Sequence, residues 1–180
     1  MSLLGIAFLN EIVGRQEVNT PGEVLDLLRE LVKTSLQQTG LKEEQKDGID
    51  MAFCSYNQNN NTLLYAGANN PVIVQKSGVM TEYKPTKNPI GIYLKEKHFE
   101  NHVIEIIKGD SLYLFSDGIT DQVGGETGRK LKLNKLYKVF EDNQHLKMEE
   151  QQNALTLMLD SWTNDKYKQI DDILVVGIRF

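Results

Sequence analysis

From Ile49 to Phe115 the chain reads as short apolar runs cut by turn residues, and that pattern limits what it can fold into. Met51–Tyr56, Thr62–Ala68, Val72–Gln75, Val79–Tyr83, Glu100–Ile107 and Ser111–Phe115 have the length and makeup of strands. Asn57–Asn61, Asn69-Asn70-Pro71, Ser77-Gly78 and Lys108-Gly109-Asp110 stand between them, and such clusters turn a chain. A parallel connection needs about a dozen residues or more, so the short gaps favour antiparallel meanders.

Helical patterns flank this block. Met1–Val13 is apolar on nearly all sides, which predicts a buried helix with no cap at its start. Thr20, Pro21 and Glu23 predict an N-cap, a proline at the first helical position and a capping-box acid. Val24, Leu27, Leu28, Leu31 and Val32 then mark an apolar face, with Gly40 as the stop. Two more helices are predicted over Gly128–Phe140 and Met148–Trp162, and a strand after them over Ile173–Phe180. Helices on both sides of a strand block give an α+β domain with helices packed on its sheets.

Composition narrows the function. The 180 residues are 40% hydrophobic and 25% charged, without repeats or low-complexity linkers, so residues 1–180 read as a single soluble domain. No apolar run approaches the roughly 18 residues of a membrane helix, and no basic segment precedes the apolar start as in a signal peptide. A net charge of −5 argues against nucleic acid or an anionic membrane as partner. The lone Cys54 excludes an internal disulfide and fits a reducing compartment, the cytoplasm.

The chemistry-bearing residues are acids. Leu112–Phe115 is an apolar run that stops at Ser116-Asp117-Gly118, which alone is common turn chemistry. Asp171-Asp172 enters the last strand in a mirrored way. If the two strands are antiparallel neighbours, both acids emerge at one sheet edge. Carboxylates held together repel one another and normally need a hard cation, and oxygen donors without histidine favour Mg²⁺, Mn²⁺ or Ca²⁺ over Zn²⁺. His98, His102 and His145 have no ligand spacing and read as surface or strand residues.

Five segments then stand in a familiar order: Lys46-Asp47-Gly48-Ile49-Asp50-Met51-Ala52, Leu64-Tyr65-Ala66-Gly67-Ala68-Asn69-Asn70-Pro71, Asn88-Pro89-Ile90-Gly91, Gly109-Asp110 with Leu114–Asp121, and Gln169–Ile173. Together they resemble the C-terminal two thirds of the metal-dependent (PPM-class) serine/threonine phosphatases, in their stage-II-sporulation-E branch. The resemblance implies two stacked, mostly antiparallel β-sheets flanked by helices. It implies hydrolysis of phosphoserine or phosphothreonine in a partner protein, with a phosphorylated anti-sigma-factor antagonist among the substrates such enzymes take. It implies Mn²⁺ or Mg²⁺, two ions in the complete domain, about 3.5–4 Å apart to steady the attacking and leaving oxygens. Asp117 and Asp171 match metal ligands of the family; Gly118, Asp121 and Asp172 match accessory positions. Asp47 and Asp50 fall in a matching segment without a ligand role.

The chain also departs from the family. In the family an Asp-Gly motif followed by a Gly-His-Gly loop stands upstream of the first helix and supplies further ligands; no Gly-His-Gly occurs in these residues, and no Asp-Gly precedes the first helix. Met1–Gly5 matches the start of that helix, so residues 1–180 are expected to form an incomplete domain, weakly active or inactive alone. Uncovered edges and apolar surface would then favour self-association. The alternative is a non-catalytic phosphatase-like regulatory or interaction module. The basic run Arg129-Lys130-Leu131-Lys132 is expected on an exposed helix face.

Overall fold

The computed structural model describes residues 2–14, 18–39 and 48–180. In chain order its elements are α1 (Ser2–Val13), α2 (Pro21–Ser35), β1 (Met51–Asn57), β2 (Thr62–Ala68), β3 (Val72–Lys76), β4 (Val79–Tyr83), β5 (His102–Glu105), β6 (Ser111–Phe115), α3 (Asp117–Asp121), β7 (Val123–Gly124), β8 (Arg129–Lys130), α4 (Leu133–Asn143), α5 (Met148–Thr163) and β9 (Val175–Arg179). The fold is α+β with antiparallel sheets. Contacts gather into two compact units, Met1–Pro71 with Tyr83–Ile106, and Val72–Glu82 with Ile107–Phe180.

In the first unit, β1, β2 and β5 form an antiparallel sheet in which Phe53 faces Ala66 and Leu64 faces Val103. The capping box starts α2 as its sequence demands: Thr20 Oγ1 accepts from the Glu23 N–H at 3.4 Å, and Glu23 Oε2 accepts from the Thr20 N–H at 3.1 Å. The core joins Ile12, Val24, Leu25, Leu28 and Val32 of the helices to Ala66, Ala68, Ile90 and Phe99. Burying one such leucine contributes about 1.5–3 kcal/mol. Leu27 lies at the margin of the apolar face, and α2 ends at Ser35, ahead of Gly40. Gly40 itself lies outside the described residues, as does Asp47.

The first helix corrects one expectation. Ile12 is fully buried in α1, but Leu3, Ile6 and Val13 are 85%, 57% and 56% exposed. An all-round apolar pattern predicts cover on every side, and here one stripe has none among the described residues.

The second unit holds the sheet β4-β3-β6-β9. Ile73 faces Tyr113 between β3 and β6, and Phe115 faces Val175 between β6 and β9. Ile73, Tyr113, Phe115, Ile119, Leu131, Leu136 and Phe140 form its core, with the Tyr113 and Phe140 rings stacked at 4.2 Å. The helix expected from Gly128 begins later. Residues 123–130 form the β7–β8 hairpin, turning through Gly125 and Gly128 at φ of 68° and 63°. Arg129 and Lys130 thus lie on a strand, Leu131 is buried, and Lys132 caps α4, so no basic helix face forms.

Candidate metal centre

β6 is a buried strand whose last residue, Phe115, pairs with the first residue of β9. Antiparallel pairing puts the end of one strand beside the start of the other. The residues just after Phe115 are therefore brought next to those just before Val175. Asp117 and Asp171 come to the same end of the sheet in this way, the condition that their mirrored positions in sequence left open being met by the β6–β9 pairing.

The junction is closely bonded. The Ser116 N–H donates to the Leu174 carbonyl at 2.9 Å, extending the ladder one step past Phe115. Ser116 Oγ donates to the Asp172 carbonyl at 2.8 Å and accepts from the Leu174 N–H at 3.0 Å. Gly118 lies against the same peptide: a β-carbon there would run into the Asp172 carbonyl oxygen and lie 3.5 Å from the Asp171 carbonyl carbon. Asp117 opens α3 and is exposed, and its carbonyl accepts from Thr120 Oγ1 at 3.0 Å. Asp171 is also exposed; its Oδ1 accepts from the Asp172 N–H at 2.7 Å, which shapes its own turn.

A second set of bonds holds the segments behind these acids. Gln122, 1% exposed, donates through Nε2 to the carbonyls of Val123 at 3.0 Å and Lys168 at 3.1 Å. The N–H groups of Leu131 and Lys132 donate to the carbonyls of Gln122 and Thr120, at 3.0 and 2.8 Å. Trp162 Nε1 donates to the Gln122 carbonyl at 3.1 Å. The β7–β8 hairpin and α5 thereby fix the far end of α3.

Of the residues singled out in the sequence, Asp117, Gly118, Asp171 and Asp172 gather at this junction. Asp121 lies at the end of α3, where its Oδ2 is held by Lys130 Nζ at 2.6 Å. Asp50 belongs elsewhere and accepts from Asn69 Nδ2 at 2.8 Å. Two of the three histidines have structural partners: His98 Nδ1 is 2.9 Å from Asp26 Oδ2, and His102 stacks on Tyr65 at 5.5 Å; His145 is exposed. Ser116 and Gln122 are additions that sequence reasoning does not supply, since their partners lie far along the chain. The Ser-Asp-Gly tripeptide is a weak signal for the first and nothing marks the second.

Two carboxylates at one sheet end offer only oxygen donors, which suits a hard divalent cation as part of its ligand set. Among the described residues, no group of three or more His, Cys, Asp and Glu side chains gathers to hold an ion.

Known proteins resemble this chain over nearly its whole length. The family model for Stage II sporulation protein E (SpoIIE) matches residues 1–180. The SiaA-PP2C domain of Pseudomonas aeruginosa has a similar structure, with a TM-score of 0.84 at 21% identity over 99% of this chain and 67% of that one. The RsbU and RsbW domains of a Mycobacterium tuberculosis protein give 0.72 at 19% identity, over 99% of this chain and 46% of that one. The PP2C phosphatase domain of Bacillus subtilis SpoIIE, with a fragment of its regulatory domain, gives 0.69 at 17%, over 97% and 49%. This chain thus spans about two thirds of the first and about half of the other two. A search of curated proteins gives no match.

Proposed function

This chain belongs to the stage II sporulation protein E family and is homologous to the PP2C serine/threonine phosphatases, and on that premise we propose that it serves divalent-metal-dependent hydrolysis of phosphoserine or phosphothreonine in a partner protein. The family's solved relatives are regulatory bacterial phosphatase domains, and the family is metal-dependent. The observation that most supports the reading is the junction where antiparallel β6 and β9 bring the segments carrying Asp117 and Asp171 to one end of the sheet.

RsbX, of similar fold, was solved in complex with magnesium, and a SpoIIE phosphatase domain after a manganese presoak. For this chain we take Mn²⁺ or Mg²⁺ as the ion, with Asp117 and Asp171 as its ligands. Gly118 lets the two loops approach, Asp172 shapes the second loop, and Asp121 steadies the end of α3 through Lys130. A divalent pair, when bound, supplies an activated water and charge neutralisation at the phosphoryl oxygens. The carboxylates' part is to hold and orient that charge at a solvent-open sheet end, where a phosphorylated side chain of another protein has access.

We take residues 1–180 as one domain that forms part of a longer phosphatase unit. Two carboxylates are fewer donors than a two-metal site uses, so the chain alone is expected to be weakly active or inactive. A phosphorylated anti-sigma-factor antagonist is the substrate class we favour, in the cytoplasm. No described helix is long and apolar enough to cross a membrane. The exposed stripe of α1 and the outer edge of β9 lead us to propose self-association.

The small donor set also favours a second reading, a non-catalytic phosphatase-like module. Release of p-nitrophenol from p-nitrophenyl phosphate, with Mn²⁺ titrated, separates the two. Slow Mn²⁺-dependent turnover that Asp117→Asn or Asp171→Asn abolishes supports the phosphatase. The absence of both turnover and Mn²⁺ binding assigns the chain to the second class, and turnover indifferent to both substitutions removes Asp117 and Asp171 as the ligands.

A further inference from the structure

Ser116 is the N-cap of α3, yet its side chain makes no capping bond. Serine is favoured at an N-cap because its oxygen accepts from an N–H in the first helical turn. Here the hydroxyl is spent across the sheet instead. Its one proton goes to the Asp172 carbonyl at 2.8 Å, and its oxygen receives the Leu174 N–H at 3.0 Å.

The reason lies in the ladder. An antiparallel pair exchanges two bonds, so the Leu174 N–H would ordinarily donate to the Ser116 carbonyl. An N-cap carbonyl is committed to the first bond of its helix. The hydroxyl takes over as acceptor for Leu174, and its donor capacity draws in the peptide two residues earlier.

We propose that Ser116 is the positioning residue of the candidate metal centre, its hydroxyl setting the separation of the Asp117 and Asp171 backbones. This rests on the phosphatase reading above. Asp117 comes one residue after the clamp and Asp171 precedes the clamped Asp172 by one, so little backbone freedom remains between the two acids. Gly118 permits the approach that the hydroxyl fixes, because a β-carbon there would strike the Asp172 carbonyl. A residue that orients ligands without touching the ion affects affinity through them.

The test uses the full chain and Mn²⁺ binding measured by electron paramagnetic resonance, with thermal midpoints recorded in parallel. Ser116→Ala should weaken Mn²⁺ binding by roughly 10–100-fold, the range typical of groups that orient metal ligands. Ser116→Thr, which keeps the hydroxyl, should restore it. Amide exchange at Leu174 should quicken in Ser116→Ala and not in Ser116→Thr. The proposal is overturned if Ser116→Ala lowers the thermal midpoint yet binds Mn²⁺ within about twofold of the unaltered chain while Asp117→Asn loses binding. No Mn²⁺ binding by the unaltered chain would instead remove the phosphatase reading, and this proposal with it.

Discussion

At the scale of single residues, partial burial acts on Cys54 in β1, whose thiol it pushes from an ordinary 9.0 up to about 12. The folded chain therefore holds this proton more tightly than the unfolded one. The resulting stability is whole below pH 9.0 and is lost as pH rises towards 12. Because only the thiolate attacks, labelling by dithionitrobenzoate at pH 8 should be roughly two to three orders of magnitude slower in the native chain than in urea. Equal rates would contradict the burial. Mirrored places beside apolar runs disclose Asp117 and Asp171 in the sequence. Ser116 and Gln122 stay hidden because they act on carbonyls of Asp172 and Lys168, and no local pattern records a backbone partner that distant.

At the scale of elements, α3 is the shortest helix among the described residues and the one that carries Asp117. Five residues form a single turn, which does not persist in water without tertiary support. Ile119, fully buried in the second unit's core, supplies that support. Ile119→Ala should cost roughly 2–5 kcal/mol in denaturant unfolding. A change of a few tenths would mean that the hydrogen bonds from Leu131 and Lys132 hold α3 unaided. One turn is also too short to show a period, so Asp117–Asp121 reads as a loop in the sequence. The β7–β8 hairpin is illegible for a similar reason. Its strands of two residues each have no alternation, and the helical spacing of Leu133, Leu136 and Phe140 invites a helix drawn back over them.

At the scale of the whole chain, β2, β3, β4 and β6 are legible because turn residues flank them, and α2 because its cap and apolar face agree. The exposure of α1 is not, since a helix apolar on all sides does not say which neighbours are present. Leu3, Ile6 and Val13 recur at helical spacing on the uncovered side. Light scattering should show the mean mass rising with concentration, and Leu3→Ser with Ile6→Ser should lower it. A clean monomer at high concentration would end that idea. Trp162 is the chain's one tryptophan, and its indole N–H meets the carbonyl of Gln122, directly after α3, while Lys135 Nζ lies 3.6 Å from its ring centroid. Its fluorescence is thus an intrinsic gauge of the helix that presents Asp117, needing no dye and no substrate.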